Sequence, residues 1–307
     1  MELFFTKMHG AGNDFVFIDD LSEDLELTVD QVRFICDRHF GIGADGVILV
    51  RPSKNSDCAA YMHYINDDGS LAEMCGNGVR CFAKYLVDKG FVPASEGRFI
   101  ADTLAGKRPI SFEVDDGGKL IQATVDMGEP ALAPECIPTT LQATFTITRL
   151  IQQSGELREE PAVIDSVLDT PLGALAFTCV NMGNPHAVTF IDDISELDFY
   201  NVGPALVKNE AFPEQANIEF AEVINAGSDD EPAELRMRVC ERGVGETLAC
   251  GTGTCATVVA AVITERIAAR KANVHLLGGT LYIEWLNNNH VMMTGPAATV
   301  YEGTIEL

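Results

Sequence analysis

Apolar and polar positions along the chain predict a strand-rich protein with few helices. Phe15 to Asp19 and Val47 to Val50 read as buried strands, and Tyr61 to Ile65 alternates before the turn Asn66-Asp67-Asp68-Gly69. Further strands are expected at Arg98 to Ala101, Ile110 to Val114 and Leu120 to Asp126. Thr144 to Gln152 and Pro171 to Phe177 continue the β-rich pattern, with Gly155 in a hairpin turn, and strands return at Thr280 to Trp285 and Val291 to Thr294. Three segments break the period of two. Thr28 to Asp37 reads as a helix opened by a Thr cap. Gly78 to Lys89 sets Val79, Phe82, Ala83, Leu86 and Val87 on one face and stops at Gly90. Gly253 to Ala269 is apolar on nearly every side in its first half, which predicts a helix buried all round. Asn225 to Pro232 reads as a polar, acidic loop, and Ala131 to Leu172, which carries no motif, as peripheral loops.

The two later helices open alike. Met74-Cys-Gly-Asn-Gly-Val-Arg-Cys leads into one and Ala249-Cys-Gly-Thr-Gly-Thr-Cys into the other. Upstream, Gly12-Asn13 precedes Phe17-Ile18-Asp19, and Gly183-Asn184 precedes Phe190-Ile191-Asp192. Two matching Cys-Gly-x-Gly helices with matching strand signatures indicate a duplicated domain. The expected halves are residues 1–128 plus 291–307, carrying Cys75, and residues 129–290, carrying Cys250. Halves related in this way would bring Cys75 and Cys250 to opposite sides of one cleft.

Composition narrows the function. At 307 residues, 47 % hydrophobic, the chain has material for two cores. Its 21 Lys and Arg stand against 46 Asp and Glu, a formal charge of -25, which disfavours nucleic acid and anionic membranes as partners. No apolar run nears the ~20 residues of a membrane-spanning helix, and the start MELFFTKMHGAGNDF lacks the basic and apolar regions expected of a leader. Nine irregularly spaced cysteines without a CxxC pair argue against a disulfide framework or structural zinc and for a reducing, cytoplasmic setting. Gly41 to Gly46 (GIGADG) fits the dinucleotide fingerprint, but it follows a helix and precedes a strand, the reverse of the order that motif needs.

Cys75 and Cys250 stand where a helix begins, beside backbone N–H groups that lack intrahelical partners and at the positive end of the macrodipole. That field is expected to favour the thiolate. The N–H groups of Gly76-Asn77 and Gly251-Thr252 offer a seat for a small carboxylate. Two thiols in this setting are open to disulfide exchange or to proton transfer. Redox pairs favour CxxC on one helix, whereas these lie far apart in sequence, so the better reading is acid/base work on one α-carbon. A thiolate takes the α-proton from one face while a thiol supplies one to the other, with no need of pyridoxal or a metal. Cys81 and Cys255 read as packing thiols, and Cys36, Cys58, Cys136, Cys179 and Cys240 as small apolar fillers. His9 and His63 read as structural, His186 as ordering a turn or touching substrate, and Lys7 and Arg80 as either surface charges or groups that tune the site.

Over nearly its whole length the chain resembles diaminopimelate epimerases. The resemblance rests on Met8 to Asp19 (MHGAGNDFVFID), Asn66 to Ala83 (NDDGSLAEMCGNGVRCFA), Met182 to His186 (MGNPH), Ala216 to Phe220 (ANIEF) and Glu241 to Ala256 (ERGVGETLACGTGTCA). It implies a mixed α/β (α+β) fold of two pseudo-symmetric domains, each a bent, mainly antiparallel sheet wrapped around a central helix, with the site in the cleft between them. It implies a cofactor-independent isomerase that interconverts LL- and meso-2,6-diaminopimelate for lysine and peptidoglycan synthesis, with that small molecule as its partner. The sequence leaves the oligomeric state open, a homodimer being one arrangement it allows. By it, Cys75 and Cys250 are the acid/base pair, and Gly76, Asn77, Gly251 and Thr252 hold the reacting carboxylate. Asn13, Asn66, Asn184, Asn217, Glu241 and Arg242 grip the distal amino-acid end, Arg242 pairing with a carboxylate and Glu241 with an ammonium. Some family members carry Gln where this chain has Gly46.

Overall fold

The computed structural model describes residues 1–151 and 156–307, and the chain separates into two units, residues 1–126 with 294–307 and residues 127–293. In the first unit, β1 (Glu2–Gly10), β2 (Asn13–Asp19), α1 (Val29–Cys36), β3 (Gly46–Arg51), β4 (Ala60–Asn66), α2 (Gly76–Asp88), β5 (Arg98–Thr103), β6 (Arg108–Val114) and β7 (Leu120–Asp126) follow in order. In the second come β8 (Phe145–Ile151), β9 (Glu156–Ala162), β10 (Ser166–Thr170), β11 (Gly173–Asn181), β12 (Pro185–Phe190), α3 (Phe199–Val207), β13 (Asn217–Asn225) and β14 (Ala233–Glu241). They continue with β15 (Gly245–Thr247), α4 (Gly251–Ile263), β16 (Lys271–Leu276) and β17 (Gly279–Trp285). The chain leaves that unit through β18 (Val291–Gly295), and β19 (Ala298–Glu306) pairs antiparallel with β1. The turn expected at Gly155, and Gln152 before it, lie outside the described residues.

The pairings repeat. In the first unit β1–β2 is antiparallel, β2–β3 parallel, β3–β4 antiparallel, β4–β5 parallel and β5–β6 antiparallel. In the second the same alternation runs through β11–β12, β12–β13, β13–β14, β14–β16 and β16–β17. Parallel neighbours need a crossover, and in each unit helices supply both: α1 and α2 in one, α3 and α4 in the other. The duplication seen in the cysteine motifs is thus a duplication of topology.

Each cysteine helix is the hub of its unit. α2 packs on β1, β2 and β7, and α4 on β11, β12, β13, β16 and β17. β2 shows why such strands read as apolar runs rather than alternations: Phe17 stacks on Tyr85 of α2 with ring centres 5.3 Å apart, while Val16 and Ile18 join Val32 and Ile35 of α1 in a second cluster. Thr28 caps α1 with a full capping box through Gln31. α4 is buried from Thr254 to Ala261 on every side, as its composition requires.

Several expectations need correction. α2 and α4 start two residues earlier than the periodicity indicated, because each glycine-rich opening already forms the first turn. α4 stops at Ile263 rather than running to Ala269: Glu265 takes a left-handed φ of 57°, and the N–H groups of Glu265 and Arg266 return to the carbonyls of Val262 and Ala261. The stretch from Ala131 to Leu172 is not loops throughout: the strand expected from Thr144 stands as β8, and β9 beside it went unread. The two pair antiparallel, and Glu160 is buried against Arg149 and the N–H groups of Leu132 and Ala133, each 3.1 Å away. Helix α3 went unread because Gly203 and Pro204 interrupt its pattern. Of the cysteines taken as apolar fillers, Cys136 is exposed and Cys58 half-buried.

Candidate active site

Cys75 and Cys250 hold the same local position. Each is the N-cap of its helix, in extended backbone (φ -135°, ψ 119° and φ -119°, ψ 110°), directly before Gly-x-Gly. An N-cap side chain sits beside the unsatisfied N–H groups of the first turn. Cys250 shows this contact: its Sγ accepts from the Gly253 N–H at 3.4 Å and lies 3.5 Å from the Thr252 hydroxyl. Gly251 and Thr252 occupy the first two helical positions there, and Gly76 and Asn77 their counterparts in α2.

Around Cys75 the first unit assembles an amide cluster. Cys75 Sγ donates to Asn13 Oδ1 at 3.4 Å, and Asn77 Nδ2 donates to the same oxygen at 3.2 Å. Asn13 in turn donates to Asp45 at 2.5 Å, so its amide orientation is fixed from behind. Asp45 and Asp14 share Arg38, at 2.7 and 2.8 Å, and Asp14 also pairs with the buried Lys7 at 2.6 Å. Burial pushes the Asp14 carboxyl up, but hydrogen bonds and charge from Arg38 and Lys7 outweigh it and hold the group at about 2. Asp45, buried beside Asp14, is raised. Asn77 is held by Arg80, whose Nη2 donates to its Oδ1 at 2.8 Å. Lys7 and Arg80 are therefore interior cations that brace the site, not surface charges. Asn66 stands opposite Gly46 in the β3–β4 register and donates to Ser70 at 3.0 Å. A β-carbon on Gly46 would lie 2.6 Å from both the Tyr64 ring and the Ile65 carbonyl, so the glutamine of other members has no room here.

In the second unit Glu241 ends β14 beside Cys250, accepts from the Thr247 hydroxyl and shares a hydrogen bond with the Cys250 thiol. Burial raises its carboxyl. Burial likewise pushes the Cys250 thiol well above its ordinary range, and the carboxylates of Glu241 and Glu219 push it further. The expectation that the helix terminus favours a thiolate fails at Cys250, since desolvation and two carboxylates exceed the macrodipole and the Gly253 N–H. Asn217 Oδ1 accepts from the Arg242 backbone N–H at 2.9 Å, leaving the Arg242 side chain exposed near the Glu214 carbonyl. Asn184 Oδ1 lies 3.0 Å from His186 Nε2, and His186 Nδ1 lies 2.6 Å from Glu219 Oε1, the last two side chains fully buried. His186 thus orders a turn from within the core.

The expected residues consequently gather in two groups, Cys75 with Asn13, Gly76 and Asn77, and Cys250 with Gly251, Thr252 and Glu241; Asn66, Asn184, Asn217 and Arg242 hold neighbouring strand ends. Sequence reasoning missed the Lys7-Asp14-Arg38-Asp45 brace and gave Glu219 no role. A lone carboxylate among the apolar residues of Asn217-Ile-Glu-Phe-Ala was the available signal, because a buried charge requires a partner. Among the described residues no group of three or more His, Cys, Asp or Glu is placed to hold a metal ion, and no helix is long and apolar enough to cross a membrane.

The fold recurs in solved structures. A hydroxyproline epimerase from Agrobacterium vitis matches with a TM-score of 0.65 over 99 % of this chain and 91 % of its own, and a PhzF-family phenazine biosynthesis protein from Bacillus anthracis with 0.66 over the whole of both. At 14 % identity these two define the architecture and no more. Sequence goes further. The diaminopimelate epimerase family profile matches residues 5–133 and 178–300. Proteins named diaminopimelate epimerase from Methanococcus maripaludis (strain C5) and Thermosynechococcus vestitus are 44 % and 46 % identical, each over 99 % of this chain and 99 % and 100 % of their own. The chain belongs to the diaminopimelate epimerase family, whose members are isomerases. The profile skips residues 134–177, which include β8 and β9.

Proposed function

We propose that this chain interconverts LL- and meso-2,6-diaminopimelate by two-base proton transfer at one α-carbon, in the cytoplasmic route to lysine and peptidoglycan precursors. Cys75 and Cys250 are the two bases. The observation that carries the reading is that both are N-caps of helices opening Gly-x-Gly, in two units with one strand-pairing pattern. The α-proton of an amino acid is a very weak acid, so most of the work is stabilising the carbanion. Helix N-terminal N–H groups at Gly76-Asn77 and Gly251-Thr252, aimed at the α-carboxylate, supply that without reorganisation. The α-proton passes to one sulfur, and the carbanion takes a proton from the other S–H on the opposite face. The product state holds the two cysteines with their protonation exchanged, so the reverse reaction uses them in swapped roles.

Cys250, held as a thiol by burial and two carboxylates, is the acid in the first half of the cycle; Cys75, half-buried and with the buried Arg80 guanidinium in the second turn of its helix, is the base. Asn13, Asn66, Asn184, Asn217, Glu241 and Arg242 bind the distal amino-acid end. A site that hydrogen-bonds a second zwitterion rejects substrates without one, by ~10⁴ or more, because its polar groups are left unpaired. Incubation with LL-diaminopimelate in heavy water tests the reading. Solvent deuterium should enter the α-position as meso product forms, and an enzyme that inverts alanine or proline faster than diaminopimelate would overturn the substrate assignment.

A further inference from the structure

The repeated pairing lets the floors beneath the two cysteine helices be compared residue by residue. In the β2–β3 register Phe15 stands opposite Gly46, which places Ile48 two residues further along. In the β12–β13 register His186 stands opposite Asn217, which places Glu219 two residues further along. With Gly12-Asn13 matched to Gly183-Asn184, His186 takes the place of Phe15 and Glu219 that of Ile48. The third residue after the cysteine rests on this floor in both units. A β-carbon on Gly78 would meet Met62, Ile48 and Phe15 at 3.1 to 3.5 Å, all apolar, whereas one on Gly253 would meet Glu219 Oε1 at 2.6 Å.

Packing alone does not require this difference, since the first unit fills the same space with a phenyl ring and an isoleucine. A fully buried carboxylate is costly unless paired, and an apolar pair avoids the cost. Glu219 Oε1 holds His186, whose other ring nitrogen holds Asn184, and Glu219 Oε2 has no hydrogen-bond partner among the described residues. Both nitrogens of the imidazole are thereby committed, and its plane is fixed.

We propose that Glu219 is a positioning residue of the acid/base site in the second unit: through His186 it fixes Asn184, and its carboxylate against Gly253 gives the Cys250 helix a charged floor that the Cys75 helix lacks. The inference rests on the reading of Cys250 as an acid/base residue. Its consequence is that the two thiols, alike in motif, differ in readiness to ionise. The groups facing Cys250 are Glu219 from β13, Glu241 from β14, the Thr252 hydroxyl and the Gly253 N–H. Facing Glu219 are His186 from β12, Cys179 from β11, and Cys240 and Glu241 from β14; burial first, and then Glu219, raises the Cys179 thiol, and Glu219 adds to the rise of Cys240 and Glu241.

Glu219→Gln keeps the volume and an oxygen for His186 but removes the charge. In substrate-free protein, iodoacetamide labelling followed separately at Cys250 and Cys75 by peptide mass should be about tenfold faster at Cys250 near pH 8, with Cys75 unchanged. Turnover should fall by about 10- to 100-fold with the alkaline limb of the kcat profile moved to lower pH, while KM moves less than about threefold. Glu219→Asp keeps the charge and withdraws it from His186; it should restore slow labelling of Cys250 but not turnover. The double variant His186→Phe, Glu219→Ile copies the floor of the first unit and serves if the single variants do not fold, with the same accelerated labelling expected. Wild-type labelling and a wild-type pH profile in Glu219→Gln, or in the double variant, would overturn the proposal. If the unmodified protein does not epimerise diaminopimelate, the functional reading fails instead, and the labelling comparison still decides the role of Glu219.

Discussion

Glu219 occupies the space that a side chain on Gly253 would need. An ideal β-carbon there would stand 2.6 Å from Glu219 Oε1, against 3.1 Å from the flexible end of Met62 for one on Gly78. The two second glycines of the Cys-Gly-x-Gly motifs are therefore glycines for different reasons. Ala in place of Gly inside a helix gains about 1 kcal/mol of propensity, which offsets a small displacement of Met62 but not of a buried carboxylate locked to His186. Gly78→Ala should change unfolding stability by less than about 1 kcal/mol, and Gly253→Ala should lose about 2 kcal/mol or more together with turnover. Urea unfolding of both variants checks this; equal losses would show that the Glu219 contact sets neither position.

Removing either sulfur should stop inversion. Cys75→Ala and Cys250→Ala should each lower kcat by at least about 10³-fold while leaving circular dichroism unchanged, since general acid/base groups contribute on this scale. The Ser variants should retain at most weak activity, a hydroxyl being a far poorer acid than a thiol. The check is meso-diaminopimelate formation together with α-deuterium uptake. Near-normal epimerisation by either Ala variant would exclude the paired mechanism.

The Lys7–Asp14 pair should make part of the stability acid-labile. The Asp14 carboxyl is held at about 2 against an ordinary 3.8, so its contribution is complete above pH 3.8 and is lost as pH falls through about 2. Lys7→Met removes one of the two cations responsible. Its cost should be about 2 kcal/mol near neutral pH and shrink as the pH approaches 2, because protonated Asp14 no longer distinguishes the two proteins. Thermal unfolding of both proteins across that range, with the Asp14 carboxyl followed by NMR, measures it. A penalty independent of pH would mean that Lys7 acts by packing alone.

What could be read from the sequence was what local physics determines. A cysteine before Gly-x-Gly announces an N-cap wherever the chain then becomes helical, and the motif occurs twice, so both acid/base candidates and the duplication were visible without coordinates. The helix field at Cys250 was visible too, but burial and the carboxylates of Glu241 and Glu219, which overrule it, come from strands distant in sequence. Glu219 is 33 residues from His186, and only the parallel β12–β13 register brings them together. The Asn13 brace is of the same kind, since Lys7, Arg38 and Asp45 reach it from β1, from the end of α1 and from the turn before β3. Motif-free stretches hid structure for a simpler reason: β9 carries Glu, Arg and Pro with few apolar residues, which reads as solvated chain, whereas the apolar positions of β8 made that strand legible.

That segment supplies the last test, because it separates stability from catalysis. Arg149 pairs with Glu160, which also accepts from the N–H groups of Leu132 and Ala133, and Arg149 donates to the Pro130 carbonyl at 2.7 Å. The pair therefore ties β8 and β9 to the chain entering the second unit. Its carboxylate is almost fully buried, so removing the cation leaves a charge that two backbone donors satisfy only in part. Arg149→Met should cost about 3 kcal/mol, seen as an earlier urea midpoint at unchanged slope. None of the proposed acid/base or binding residues touches this pair, so kcat and KM should stay within about twofold at temperatures where the variant is folded. A large fall in kcat with stability intact would instead give β8 and β9 a part in the reaction.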